Sequence, residues 1–257
     1  MIELLTISAV AIFVYMTLLF LLALTLKDNS IVDIGWGPGF ILVSIVTIIY
    51  GHPFPGMRGI AYFLVLLWGL RLAVYVFFRN RGRGEDFRYA AWRREWGRNF
   101  VLRSYLQIFM LQGLIMLIVA YPLVLITVAP FTPVGLIEMA GGMIWVIGFF
   151  FEAVGDYQMS RFKKNPANRG KIMTTGLWRC TRHPNYFGET AMWWGVFLLA
   201  LPLPYGWTAI ISPLAISFLL LKVSGIPMLE KKYAGNPEFE AYKAGTSAFF
   251  PWFSARR

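Results

Sequence analysis

The chain has 257 residues, 58% of them hydrophobic and 17% aromatic, with only 14% charged and a formal net charge of +11. A soluble domain carries about 25% charged residues, so this composition excludes an ordinary water-soluble globule. The single cysteine, Cys180, excludes an intramolecular disulfide framework, and the only two histidines, His52 and His183, leave no Cys/His cluster with zinc spacing. No metal is expected.

The charges are bunched, and the stretches between them are apolar. The first uncharged run, Leu4 to Leu26, follows Met1-Ile2-Glu3 without a basic flank and is too long for a signal peptide, so it reads as a retained first span. Ile34 to Gly51 and Gly59 to Leu70 follow. The runs Ser104 to Ile137 and Thr190 to Leu221 each hold a turn-like break, Ala129-Pro130-Phe131-Thr132-Pro133 and Leu203-Pro204-Tyr205-Gly206, and read as helical hairpins. With a shorter span at about Val134 to Phe151, the expectation is an all-α, single-domain integral membrane bundle of seven transmembrane helices.

A basic excess in such a protein is first a signal of topology, so nucleic acid is not an expected partner. Of 24 Lys and Arg, eight lie in Arg79 to Arg103, seven in Arg161 to Arg182 and six in Lys222 to Arg257. The connections near 51–58, 128–133 and 203–206 hold one basic residue between them. This places the N-terminus outside and the C-terminus in the cytoplasm.

Two of the basic segments are long enough to be functional. In Arg79-Asn80-Arg81-Gly82-Arg83-Gly84-Glu85-Asp86-Phe87-Arg88-Tyr89 and the residues that follow to Arg103, every basic residue is Arg. One reading is an anchor on anionic lipid headgroups; the other is phosphate recognition, which suits the planar guanidinium fork better than a Lys point charge. In the second segment Glu152, Asp156 and Lys163 fall on one helical stripe. An acid in that position is either an interfacial residue or part of a site.

The most informative run is Thr175-Gly176-Leu177-Trp178-Arg179-Cys180-Thr181-Arg182-His183-Pro184-Asn185-Tyr186-Phe187-Gly188-Glu189. Pro184 suits the first turn of a helix. Asn185 and Glu189, at i and i+4, then share a face, where an amide beside a carboxylate either fixes the helix start or binds another amide such as a carboxamide.

Arg182-His183-Pro184-Asn185-Tyr186-Phe187-Gly188-Glu189, the Asn80-Arg81-Gly82-Arg83 segment and the terminal Phe249-Phe250-Pro251-Trp252-Phe253 together resemble the membrane steroid 5α-reductase family, above all its bacterial branch. The Arg182 to Tyr186 element alone is shared with membrane sterol reductases and isoprenylcysteine carboxyl methyltransferase relatives. The resemblance implies the inner membrane of a bacterium as the location, an active site opening to the cytoplasm, cofactor-binding segments at about 79–103, 156–184 and 222–257, and NADPH as cofactor. Asn80, Arg81, Arg83, Asp86 and Arg88 from the first segment would hold the dinucleotide, with Asp156, Lys163, Lys171 and His183 from the second. Asn185 and Glu189 would stand beside the nicotinamide.

The expected catalytic groups are Asp33, Tyr186 and Glu189, and the substrate-binding groups are Asp33, Trp36 and Trp68. Where mammalian members place a tyrosine on the third span, this chain has Trp68, whose indole donates a hydrogen bond but delivers no proton. Asp33 is open to two readings: a salt bridge with Arg71, or a neutral acid donating to a ketone oxygen. The implied reaction is reduction of the C=C bond of a lipophilic enone, a 3-oxo-Δ4-steroid by resemblance, drawn from membrane lipid. The alternatives are an S-adenosylmethionine-dependent membrane methyltransferase of the isoprenylcysteine type and a non-catalytic sterol-binding membrane protein. No Gly-x-Gly-x-x-Gly follows a strand, and Gly35-x-Gly37-x-Gly39 lies inside a span.

Overall fold

The computed structural model describes residues 1–51, 57–130 and 133–252. His52, the Phe131-Thr132 part of the first hairpin break and Phe253 lie outside the described residues. Among the described residues the regular structure is helical throughout, with no strand. In order these are α1 (Ile2–Leu26), α2 (Ile31–Tyr50), α3 (Met57–Asn80), α4 (Phe87–Trp96), α5 (Phe100–Ser104), α6 (Leu111–Val128), α7 (Leu136–Lys164), α8 (Pro184–Ala200), α9 (Ile211–Phe218), α10 (Ile226–Lys231) and α11 (Pro237–Gly245).

Six helical stretches are long and apolar enough to cross a membrane: Ile2–Leu26, Ile31–Tyr50, Gly59–Asn80, Phe87–Val128, Leu136–Lys164 and Gly206–Lys231. The chain is a multi-pass membrane protein. The stretch expected as the sixth span forms a helix, α8, but it has 17 residues, about 26 Å at the α-helical rise against a hydrocarbon core of about 30 Å, and it is not among those six. The stretch from Phe87 is continuous because α5 runs into α6 through one wider, π-helical turn at Tyr105–Met110. The turn at 203–206 forms as its sequence implies: the Gly206 N–H donates to the Leu203 carbonyl at 2.8 Å, and Tyr205 takes φ 61°.

The chain divides into two compact units, Met1–Gly135 with Ala200–Ala209, and Leu136–Leu199 with Ile210–Arg257. The first is built around α2, which packs on α1, α3 and α6. Glycine makes this possible. A Cβ on Gly35 would lie 2.4 Å from Leu19 of α1, one on Gly37 2.3 Å from the Gly69 carbonyl of α3, and one on Gly39 2.3 Å from Met116 of α6. The Gly-x-Gly-x-Gly run is therefore a packing device that presents three bare faces to three neighbours. The Gly35 carbonyl also accepts a hydrogen bond from the Tyr15 hydroxyl at 2.8 Å.

The second unit is organised by α7 against α8. Gly141, Gly148 and Gly155 recur every seven residues along α7 and meet Gly195, Gly188 and Pro184 of α8, an antiparallel order. A Cβ on Gly148 would lie 2.6 Å from the Gly188 carbonyl, and one on Gly188 would lie 2.5 Å from the Glu152 N–H nitrogen. Small residues are what let membrane helices approach this closely. Gly148→Leu is expected to destabilise the fold by about 2–3 kcal/mol, the cost of overpacking a close contact; thermal unfolding of the detergent-purified protein measures it, and an unchanged midpoint would contradict the seam.

Candidate functional site

In the first unit the polar groups gather where the segment between α3 and α4 meets the start of α2. Asp33 accepts from Arg88 Nη2 at 2.7 Å and from the Tyr89 hydroxyl at 2.6 Å. Its ionic partner is thus Arg88, and the Asp33–Arg71 pair raised by the sequence does not form. Asp86 caps α4 through the Arg88 N–H at 3.0 Å and also accepts from Arg88 Nε at 2.8 Å. Burial pushes the Asp86 carboxyl up, but the Arg88 guanidinium more than offsets this and holds its pKa below the ordinary value.

Glu85 is gripped in the same way. Both of its oxygens accept from Arg93, at 2.7 and 2.8 Å, and one also takes the Asn29 N–H at 2.9 Å. Burial raises its carboxyl, and Arg93 with the Asn29 amide brings the net shift below the ordinary value. The Ser30 hydroxyl completes the clasp by accepting from the Asp86 N–H at 2.7 Å.

The two arginines between α3 and α4 remain outside that clasp. Arg81 and Arg83 are exposed, and among the described residues neither side chain has a hydrogen-bonding or ionic partner. They alternate with Gly82 and Gly84, which hold φ of 76° and 71° and so turn the chain outward. Beside them Asn80 accepts from Arg79 Nε at 3.1 Å, while its own Nδ2 is buried with no hydrogen-bond partner. An orphaned donor next to two open guanidinium groups fits an anion with several acceptor oxygens.

The aromatic pair expected at the substrate sits in one ladder: Trp36 meets Phe40 edge-on at 5.2 Å, and Phe40 meets Trp68 at 5.3 Å. Trp68 is fully buried in the interior of the first unit, and Trp36 is half-buried.

In the second unit the glycine seam brings α7 carboxylates beneath the start of α8. Glu152 and Asp156 are both buried, at 3% exposure. Asn185 lies one residue inside α8, as the sequence implies, and its Nδ2 donates to Asp156 Oδ1 at 3.3 Å. The amide and acid that meet are therefore Asn185 and Asp156, from two helices, with half-buried Glu189 one turn further along α8. Lys163 and Lys171 are exposed. Tyr186 is half-buried and stacks on His183 at 5.3 Å with 8° between the rings. Among the described residues no group of three or more His, Cys, Asp or Glu could hold a metal ion.

The Arg182-His183 pair has a second task that sequence reasoning missed. Arg182 Nε donates to Glu230 Oε1 at 2.8 Å, and His183 Nε2 lies 3.1 Å from the same oxygen. Arg182 also reaches the carbonyls of Lys243 and Thr246 and, through its own N–H, that of Ser247. The Tyr242 hydroxyl donates to the Trp178 carbonyl, the Thr181 hydroxyl to the Phe249 carbonyl, and the Trp252 N–H to the Cys180 carbonyl. The C-terminal segment is thereby strapped along residues 178–182. A basic residue beside a histidine gave a signal for an acid partner, but nothing local pointed to Glu230.

Burial lowers the His183 pKa below 6.5, more than the neighbouring Glu230 raises it. The imidazole is neutral and donates from Nε2–H to Glu230. The unfolded chain then binds the extra proton first, so this group favours folding above about pH 6.5 and that contribution declines as the pH falls below it. His183→Gln, which keeps a donor but cannot titrate, is expected to flatten the loss of thermal stability between about pH 6.5 and 5 relative to the parent; parallel curves would contradict the assignment.

Compared with known proteins, the chain matches a family model described as "Protein of unknown function (DUF1295)" over residues 19–246. It is also similar to a "Probable O-methyltransferase ustE" of Ustilaginoidea virens, 39% identical over 66 residues, which is 26% of this chain and 23% of that protein. The match thus spans about a quarter of the relative's length. No solved structure matches.

Proposed function

We propose that this chain, which belongs to the DUF1295 family of proteins of unknown function, is an NADPH-dependent membrane reductase acting on the C=C bond of a lipophilic enone. A 3-oxo-Δ4-steroid is the first substrate class to test. In this reading the chain crosses the membrane seven times, with α8 as the short span, the N-terminus outside and the C-terminus in the cytoplasm of a bacterial cell. The observation that carries the cofactor is the open pair Arg81 and Arg83 beside the orphaned Asn80 donor. Phosphate oxygens match those donors, and a sulfonium cation without phosphate does not.

Bound NADPH would supply the hydride that adds to the β-carbon of the enone, and a proton added at the α-carbon would collapse the enolate and complete the reduction. Asn185 and Glu189, with Asp156 holding the Asn185 amide, are the groups that suit its carboxamide. Negative charge then develops on the ketone oxygen, and a fixed hydrogen-bond donor there lowers the barrier. Asp33 does not serve as that donor in this reading, because both of its oxygens accept from Arg88 and Tyr89; it positions Tyr89 instead. Tyr186 is the remaining hydroxyl of the expected catalytic set, and it takes the donor's role. Trp68 is packed in the interior of the first unit against Phe40, which leaves half-buried Trp36 as the aromatic residue of the expected pair that is open to a substrate.

The name of the Ustilaginoidea virens relative favours a second reading, an S-adenosylmethionine-dependent membrane methyltransferase. One experiment separates the two. The full chain, purified in detergent, is titrated with NADPH and with S-adenosylmethionine, and then given a 3-oxo-Δ4-steroid. Binding of NADPH and its oxidation on adding the enone supports the reductase; binding of S-adenosylmethionine alone establishes the other reading.

Two substitutions test the roles. Arg83→Ala is expected to weaken NADPH about tenfold while changing NADH less, as the loss of one charge-assisted contact to the extra phosphate requires. Equal weakening of both would remove Arg83 from that phosphate. Tyr186→Phe is expected to lower kcat by about a hundredfold with little change in NADPH affinity, and unchanged turnover would withdraw the donor role.

A further inference from the structure

The exposed face of α7 changes character along its length. Met139, Met143, Val146, Phe150 and Tyr157 are each more than half exposed and fall on one side of the helix. On a membrane span, an apolar face left uncovered by protein is the face that meets acyl chains. The same side continues past Tyr157 to exposed Arg161. There it opens into a cleft of about 510 Å³ between the end of α7 and the loop that returns to Gly176. Tyr157, Gln158, Arg161, Asn165, Asn168 and Thr175 supply its polar lining, and no carboxylate is among the lining residues.

Asn168 Nδ2 and the Thr175 hydroxyl are engaged, donating to the Phe162 carbonyl at 3.0 Å and to Met173 Sδ at 3.7 Å, so the free donors of the lining come from Gln158, Asn165 and Arg161. Gln158 Oε1 already accepts the Leu177 N–H at 3.0 Å, and Asn165 Oδ1 accepts the Ala167 N–H at 3.0 Å. These bonds fix the orientation of both amides and leave their NH₂ groups as donors. Arg161 adds its guanidinium, which touches only the Tyr157 hydroxyl at 3.5 Å and has no carboxylate partner among the described residues. Two amide donors beside one positive charge suit a ligand that accepts hydrogen bonds and carries one negative charge. A phosphodiester has that character. The apolar face above it suits two hydrocarbon chains, and a tyrosine with a cation at the end of a span is the pairing found at headgroup depth.

We infer that the cleft at the end of α7 is a binding site for an anionic phospholipid, with the phosphodiester on Arg161, Gln158 and Asn165 and the acyl chains along Tyr157 to Phe150, about 16 Å of helix from Arg161 and so one leaflet deep. The site rests on the membrane reading of the chain and not on the reductase reading, so its test needs no turnover.

The full chain, purified in detergent, is mixed with dioleoylphosphatidylglycerol, with dioleoylphosphatidylcholine, or with phosphatidylglycerol plus millimolar inorganic phosphate, and bound lipid is counted by native mass spectrometry. Phosphatidylglycerol is expected to be retained over phosphatidylcholine and not to be displaced by inorganic phosphate. Arg161→Gln is expected to lower its retention by about fivefold, as the loss of one basic residue at the membrane surface implies. Gln158→Glu keeps the oxygen that holds Leu177 but replaces the donor with a negative charge, and it is expected to lower retention at least as far. Arg98→Gln removes an exposed charge outside the cleft and should leave retention unchanged. Equal retention by the two cleft variants and the parent would overturn the inference. So would displacement by inorganic phosphate, or an equal loss in Arg98→Gln, which would make the effect one of diffuse charge.

Discussion

Contact of backbone with backbone between α7 and α8 is the constraint on which the second unit depends. Gly141, Gly148, Gly155, Gly188 and Gly195 remove the side chains that would hold the two helices at an ordinary separation. Close approach carries the α7 carboxylates with it. Glu152 has its own N–H nitrogen against Gly188, and Asp156 is brought within reach of Asn185. Two buried acids in a membrane helix are tolerable only where polar partners accompany them. The seam is what supplies that setting.

The many arginines of this chain divide by what they touch. Arg88 and Arg93 fasten the segment between α3 and α4 to the start of α2 through Asp33, Asp86 and Glu85. Arg182 binds the C-terminal segment through Glu230 and a row of carbonyls. These are interior fasteners whose charge is matched on the protein itself. Arg81, Arg83 and Arg161 are different, because they are exposed and have no carboxylate partner among the described residues. A count of positive charge by segment cannot make that distinction; only the position of the acids does.

Much of the architecture was legible from the sequence. Uncharged runs gave the spans, Pro184 marked the start of α8, and the 203–206 break became a turn. What stayed hidden has one physical origin, pairing over long distances in the chain. Asp33 with Arg88 is 55 residues apart and Arg182 with Glu230 is 48; no local periodicity encodes either. The contact of Asn185 with Asp156 was hidden for the same reason: helical spacing puts Asn185 and Glu189 on one face of α8, but it does not show that Asp156 approaches from α7. The seven-residue glycine recurrence on α7 was present in the sequence and was the one available clue to that neighbour.

The bare faces of α2 also bear on how such a protein can diversify. Three positions, Gly35, Gly37 and Gly39, admit no side chain without pushing away α1, α3 or α6. Between them lies Trp36, half-buried and in edge contact with Phe40. An immovable post of this kind confines heritable variation to the few residues standing between its fixed points. The indole at position 36 is thus a place where side-chain size can change while the three glycine contacts stay as they are.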